Sequence, residues 1–264
     1  MQRYKLLISY RGTRYHGWQQ QAANQFYKGP PPPPGHGIPT IQETVTRTIQ
    51  KIIGHPITLI GSSRTDTGVH AKGQVAHFDT DQTQIPLIPL RRAINYRLPD
   101  DILIREITPV PNTFDAIEST ISKRYQYVIW SAENRPPLFA DLVWHRWRPL
   151  NIAAMREAAA HFLGTHDFAS FARPCHIKET TIRTIHSCEI SYRPPRLVIG
   201  IEGSGFLWNM VRIIVGTLFE IGLEKYWPSD IPKMLAAADR RSAGSTAPPQ
   251  GLYLQWIKYR ESNQ

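Results

Sequence analysis

The stretch "GSSRTDTGVHAKGQVAHF", residues 61–78, decides how the first half of the chain is read. Its last part, continued as "QVAHFDT", has strand character, and so does "PITLIGS" (56–62) just before it. The small residues between them therefore form a strand-to-strand connection, in which Thr65, Thr67 and Gly68 favour tight backbone. Upstream, Thr40 and Glu43 make a capping-box pattern, and Ile41, Val45, Ile49, Ile52 and Ile53 form one apolar helical face that Gly54 ends. Further upstream, Tyr4, Leu6, Ile8 and Tyr10 alternate as a strand. Downstream, "LIPLRRAINYRL" (87–98) reads as a helix and "DILIREITPV" (101–110) as a strand. The order is β-α-β-β-α-β, the split βαβ arrangement of ferredoxin-like domains.

The second half repeats that order. "KRYQYVIW" (123–130) alternates as a strand. "NIAAMREAAAHFLG" (151–164) is a helix with Asn151 as N-cap and Gly164 as its stop. "TTIRTIHSCEISY" and "RLVIGIEG" pair as strands. "FLWNMVRIIVGTLFEIG" (206–222) is a helix apolar nearly all round and hence buried. A short helix follows near Ser229, and "GLYLQWIKY" closes as a strand. The fold class expected is α+β, with two pseudo-symmetric ferredoxin-like halves, 1–112 and 113–264, and a ligand cleft between their sheets. The proline-rich stretch at 28–37 reads as an exposed, poorly ordered loop insertion in the first half.

Composition narrows the function. The chain has 264 residues, and its 31 lysines and arginines outweigh 21 acidic residues, for a net charge of +10. The arginines are spread along the chain with no basic tail, which suits a folded surface tracking a phosphate backbone; a basic but otherwise ordinary soluble protein is the plainer reading. No apolar run approaches the roughly 20 residues a bilayer needs, so no membrane partner is expected. Cys175 and Cys188 lack metal-ligand spacing, which points to a reducing, cytoplasmic setting. The histidines build no metal site, with His70 and His77 seven apart and no HExxH. No phosphate-loop or dinucleotide glycine pattern appears, and "GSGFLWNMVR" opens an apolar helix that would cradle phosphate poorly.

Three places could carry chemistry. Asp66 sits on a loop held by sheet at both ends. Alone it would be an ordinary turn residue, but Arg64 beside it favours an ionised carboxylate able to act as nucleophile or general base. Tyr125, next to Lys123 and Arg124, suits base stacking, although Tyr125 and Tyr127 share a face and one of them is expected in the core. Arg212 lies among Met210, Val211, Ile213, Ile214 and Val215, where an unpaired cation is costly. Asp66 is its attractive partner; Glu220, Glu224 or a path to solvent are the alternatives.

"SRTDTGVHAKGQVAHF" (63–78) strongly resembles the active-site motif of the tRNA pseudouridine synthase A family. "YRGTRYHGWQQQ" (10–21), "KRYQYVIW", "FLWNMVRIIVGTL" and "AGSTAPPQGLYL" (243–254) resemble further motifs of that family in the same order. The resemblance implies two ferredoxin-like halves sharing an antiparallel sheet, a homodimer, tRNA as partner, and no cofactor or metal. It implies isomerisation of uridine to pseudouridine in the anticodon stem-loop. Asp66 would be the nucleophile and Tyr125 the tyrosine packed on the target uracil. Arg64 would assist base flipping, Arg212 would pair with the nucleophile, and Leu252 would line the uracil pocket. Attack at C6 of the base or at C1′ of the ribose stays open. The chain departs from the family pattern at "FDAIEST" (114–120), where Ile117 and Glu118 replace an arginine and an aromatic, and at Arg11, where aspartate is usual. A non-catalytic RNA-binding protein would share the charge and fold but would have no use for Asp66. A nucleoside hydrolase would need a second carboxylate or a metal to activate water.

Overall fold

The computed structural model describes residues 1–20, 39–174 and 180–260. The proline-rich stretch 28–37 and Cys175 lie outside these. The architecture is mixed α+β. The chain divides into two compact units, Met1–Ile121 with Leu254–Gln264, and Ser122–Tyr253.

In the first unit, β1 (Gln2–Tyr10) is flanked antiparallel by β3 (His70–Thr80) and β4 (Ile102–Val110). The last strand, β10 (Leu252–Tyr259), lies beside β3, so the order is β4-β1-β3-β10. The predicted alternation holds, with Tyr4, Leu6, Ile8 and Tyr10 all buried. Two helices pack on this sheet. α1 (Ile41–Ile53) starts where expected, with the Glu43 amide donating to Thr40 Oγ1 at 3.3 Å, and Gly54 closes it in the left-handed region at φ 83°. α2 (Leu87–Arg97) buries Leu90 and Ile94. The element order is thus β1-α1-β2-β3-α2-β4. One strand is shorter than the sequence predicts: β2 comprises only Ile60 and Gly61. Residues 57–59 are held by α1 instead, whose Gln50 and Gln42 side chains donate to the carbonyls of Ile57 and Leu59 at 3.2 and 2.7 Å.

The last residues of the first unit are tied to β3 and β10. The Ala116 amide donates to His77 Nδ1 at 3.1 Å, and the Tyr259 hydroxyl donates to the Ala116 carbonyl at 2.9 Å. His77 is therefore held neutral at Nδ1. Burial pushes its pKa below 6.5 and Arg3 adds to the effect, while Asp115 and Asp79 oppose it. The unfolded chain then binds a proton that the folded chain refuses. His77 thus contributes stability fully present above pH 6.5 and lost as pH falls toward its folded pKa. We expect the thermal midpoint of the protein to drop between about pH 7 and about pH 5, and His77→Gln to flatten that part of the profile. An unchanged slope in the variant would remove His77 as its source.

In the second unit, β5 (Thr120–Ser131) pairs antiparallel with β9 (Arg196–Gly203), which pairs with β8 (Ile182–Arg193), which pairs with β7 (Gly164–Asp167). A short strand, β6 (Trp144–Arg146), runs parallel to β5, so the sheet is mixed. α3 (Ile152–Ala160) is capped by Asn151, whose Oδ1 accepts the Ala154 amide at 3.0 Å. It stops earlier than predicted. Gly164, at φ 96°, opens β7 rather than ending the helix. α4 (Met210–Gly222) starts later than predicted, after a turn in which the Met210 amide donates to the Leu207 carbonyl. Apart from Arg212 and Glu220, all of α4 is buried. The helix near Ser229 is a 3₁₀ turn, Pro228–Asp230, running into α5 (Ile231–Ala236). No helix among the described residues is long and apolar enough to cross a membrane.

Candidate functional site

The loop from Ser62 to Val69 is held by bonds to β3, to β1 and the segment after it, and by a turn of its own. At its start, buried Gln74 of β3 grips Ser63 from both sides, accepting its amide at 3.2 Å and donating to its carbonyl at 2.6 Å. In the middle, Thr65 shares a 2.8 Å hydrogen bond with the Tyr10 hydroxyl, and its carbonyl accepts the Trp18 amide at 3.0 Å. At the end, the Asp66 carbonyl accepts the Val69 amide, closing a turn that places Gly68 at φ 77°. Asp66 is half-buried and Arg64 is exposed.

The segment after β1 packs against this loop so closely that side chains are excluded. A Cβ on Gly17 would stand 2.4 Å from the Thr65 carbonyl oxygen, and Gly17 has φ 83°. A Cβ on Gly12 would stand 2.0 Å from the Val69 carbonyl oxygen. The Gly12 amide donates to Nδ1 of buried His70 at 3.0 Å, and the Gly68 amide to the Tyr15 carbonyl at 3.3 Å. The Trp18 ring is 1% exposed and lies on Gly61, with a Tyr10 ring centroid 6.1 Å away. The residues of 10–18 thus act as a brace under Asp66.

In the second unit, Tyr125 lies on β5 and is 6% exposed, with the Phe206 ring edge-on at 5.3 Å. The structure buries both members of the pair rather than one, and Tyr127, two residues on, is the deeper. It is fully buried and donates to the Pro248 carbonyl at 2.7 Å. Burial pushes Lys123, also on β5, down to a pKa of about 8. Arg212 is half-buried on α4 and fixed from two sides: Nε donates to the Ala247 carbonyl at 2.8 Å and Nη1 to Asn209 Oδ1 at 2.9 Å. Of its alternative partners, Glu220 is engaged by the Ser245 hydroxyl at 2.8 Å, and Glu224 accepts from the Asn151 side chain at 3.2 Å. Asn209 stands at φ 61°, a conformation asparagine tolerates better than most residues. Residues 243–248 clamp onto α4 at Gly216, where a Cβ would meet the Ser245 carbonyl oxygen at 1.8 Å. That clamp places Leu252, 5% exposed at the start of β10, a few residues further along the same segment.

A family model described as tRNA pseudouridine synthase matches residues 7–117 and 158–260. A tRNA pseudouridine synthase A of Thermoanaerobacter sp. strain X514 is 42% identical over 259 residues, covering 98% of this chain and 100% of that one. The chain belongs to the tRNA pseudouridine synthase family. Relatives of the same description in Ruminiclostridium cellulolyticum and Exiguobacterium sibiricum are 40% and 39% identical, covering 98% and 100% of this chain, and 100% and 99% of their own. A solved structure titled "Crystal Structure of a Cbf5-Nop10-Gar1 Complex" aligns at a TM-score of 0.34 and 12% identity, over 97% of this chain and 59% of that one.

Within the pseudouridine synthase family match fall Asp66, Arg64, Arg212 and Leu252, while Tyr125 lies between the two matched segments. The divergent 114–120 stretch is a turn with bonds of its own, tied to β3 and β10 through Ala116. Asp115 Oδ1 accepts the amides of Ile117 and Glu118 at 2.7 and 3.0 Å, and the Asp115 amide donates to Ser119. Both departing side chains, Ile117 and Glu118, are exposed. Tyr10, Gly12, Gly17, Trp18 and Gln74 lie within the quoted motifs, but their part in holding the loop is visible only in the structure. The signal that could find them is the pair of glycines in "YRGTRYHGW", each at a spot where chains touch. Among the described residues, no three of His, Cys, Asp and Glu group as a metal site.

Proposed function

We propose that this protein isomerises uridine to pseudouridine in the anticodon stem-loop of tRNA, with Asp66 as the nucleophile. The observation that carries the reading is the rigid presentation of one carboxylate: a loop pinned at Ser63, Thr65, Asp66 and Gly68 holds Asp66 half-exposed in a chain of net charge +10. Preorganisation of this kind is what an attacking group needs, because misplacement by about 1 Å costs on the order of a hundredfold in rate. The target nucleotide leaves the stack at a cost of a few kcal/mol, and Arg64 takes its place. Asp66 attacks the flipped nucleotide, at C6 of the base or at C1′ of the ribose. The N1–C1′ bond breaks, the uracil turns, a C5–C1′ bond forms, and the Asp66–carbon bond breaks again to regenerate the carboxylate. The proton on C5 is lost and N1 gains one, so atoms balance without a cofactor. Tyr125 and Leu252 confine the detached base, and Arg212 pairs with the Asp66 carboxylate. The same reading carries two pseudo-symmetric ferredoxin-like halves divided at 112/113, a homodimer, and a cytoplasmic setting.

The test is tRNA tritiated at C5 of its uridines. Since the C5–H bond is broken once per turnover, the protein should release tritium in step with pseudouridine formed in the anticodon stem-loop. Tight tRNA binding without release would instead mark an RNA-binding protein.

A further inference from the structure

The first unit carries a second basic feature that the Asp66 chemistry does not use. Between α2 and β4 lies an open cleft of about 530 Å³ lined by Arg91, Arg92, Arg105, Tyr96, Leu103 and the Asn95–Ile104 pair. No acidic side chain lines it. Among the described residues, none of its three arginines forms an ion pair.

The cleft is built rather than accidental. β4 is an edge strand, and Arg105 is its bulged residue: Leu7 pairs with Glu106 and Ile8 with Ile104, leaving Arg105 without a partner on β1. A bulge re-aims the side chain it carries. Here Arg105 reaches the Lys72 carbonyl at 2.9 Å, on the strand that leaves the Asp66 loop. α2 then caps the edge. Asn95 makes a paired hydrogen bond with the Ile104 amide and carbonyl at 2.8 and 2.9 Å, and Arg91 donates to the Arg105 carbonyl. A guanidinium has five N–H donors, and these bonds use one from Arg91 and one from Arg105. Ile88, Arg92 and Tyr96 form one exposed stripe along α2, with Tyr96 88% exposed.

We infer that this cleft binds the phosphate backbone of the tRNA, as a site additional to the one that holds the target uridine. The inference rests on the proposed function for the identity of the nucleic acid. Charge complementarity selects the occupant: three arginines with no acidic residue among them fit a polyanion. A second copy of the chain fits worse. Backbone groups of Ile104 and Arg105 are already taken by Asn95 and Arg91, so strand addition is blocked there. A two-fold contact through the cleft would bring arginines against arginines.

The experiment is binding of unmodified tRNA by the full-length protein across a salt series, for wild type, Arg92→Ala, Arg92→Glu and a control, Arg241→Ala. Arg92 has no side-chain bond to lose among the described residues, and a thermal midpoint equal to wild type checks the fold. Arg92→Ala should weaken binding severalfold and lower the salt slope by about 1; Arg92→Glu should weaken it roughly tenfold or more. The control, which removes the same charge from the exposed Arg241–Asp239 pair, should stay close to wild type. Wild-type affinity and slope in Arg92→Glu would overturn the proposal, as would a loss of self-association at unchanged tRNA affinity. Binding is read without turnover, so a failure of pseudouridine formation would leave this result standing on its own.

Discussion

Asp66→Asn should lower pseudouridine formation by about 10⁴-fold or more, with tRNA affinity and thermal midpoint close to wild type. Asparagine keeps the shape of the side chain and the turn closed by the Val69 amide on the residue 66 carbonyl. The bonds that tie Ser63 to Gln74, Thr65 to Tyr10 and Trp18, and Gly68 to Tyr15 keep their donors and acceptors in the variant. What the substitution removes is an anionic oxygen able to bond carbon, for which an amide has no substitute. Rapid-quench measurement at saturating tRNA isolates the chemical step. Activity within tenfold of wild type would move the nucleophile to another residue, whereas loss of tRNA binding in parallel would make Asp66 a binding group.

Gly17→Ala should cost about 1–2 kcal/mol of stability from the left-handed backbone alone, and about a hundredfold in turnover. Gly17 has φ 83°, and its new methyl would lie 2.4 Å from the Thr65 carbonyl oxygen, 3.1 Å from the Asp66 carbonyl carbon and 3.3 Å from the Thr67 amide. None of these atoms is the end of a flexible side chain, so the loop itself must move. The displaced residues are the ones that aim Asp66, and the rate penalty for a shift of about 1 Å is on the order of 10²-fold. The discriminating readout is turnover per folded molecule at saturating tRNA. If that value equals wild type while only the melting temperature falls, the brace supports the fold and not the carboxylate.

The two residues behind these expectations differ in how plainly the amino-acid sequence displays them, and so do the elements of the fold. β1 is legible because Tyr4, Leu6, Ile8 and Tyr10 alternate on a strand with one buried face. α1 is legible because its cap, apolar face and terminal glycine agree. β2 reads too long because the alternation of Ile57, Thr58 and Leu59 looks the same whether a strand or two glutamines from α1 satisfy the Ile57 and Leu59 carbonyls. The limits of α3 and α4 shift for a related reason: Asn209 and the 207–210 turn precede a helix whose apolar pattern starts earlier. In the site, Asp66 is legible as part of a dense motif. Its brace is not, since the roles of Gly12, Gly17 and Trp18 arise from contacts with residues about 50 positions away. Likewise, no periodicity marks Arg105 as a bulge, because a bulge belongs to a pair of strands.

The return of β10 to the first unit sets the order in which the protein can be completed. Gly73 of β3 packs against Gln255 and Trp256, and Phe114 stacks at 5.0 Å on Tyr259, yet those partners are made only after the whole second unit. At about 5–20 residues per second, synthesis of residues 122–253 takes roughly 7–26 seconds, during which β3 lacks its β10 neighbour. During that interval the nascent first unit has an unpaired strand edge, the feature most prone to wrong partners, and the second unit is free to fold ahead of it. The sheet of the first unit is therefore complete only when the C-terminal strand has been made.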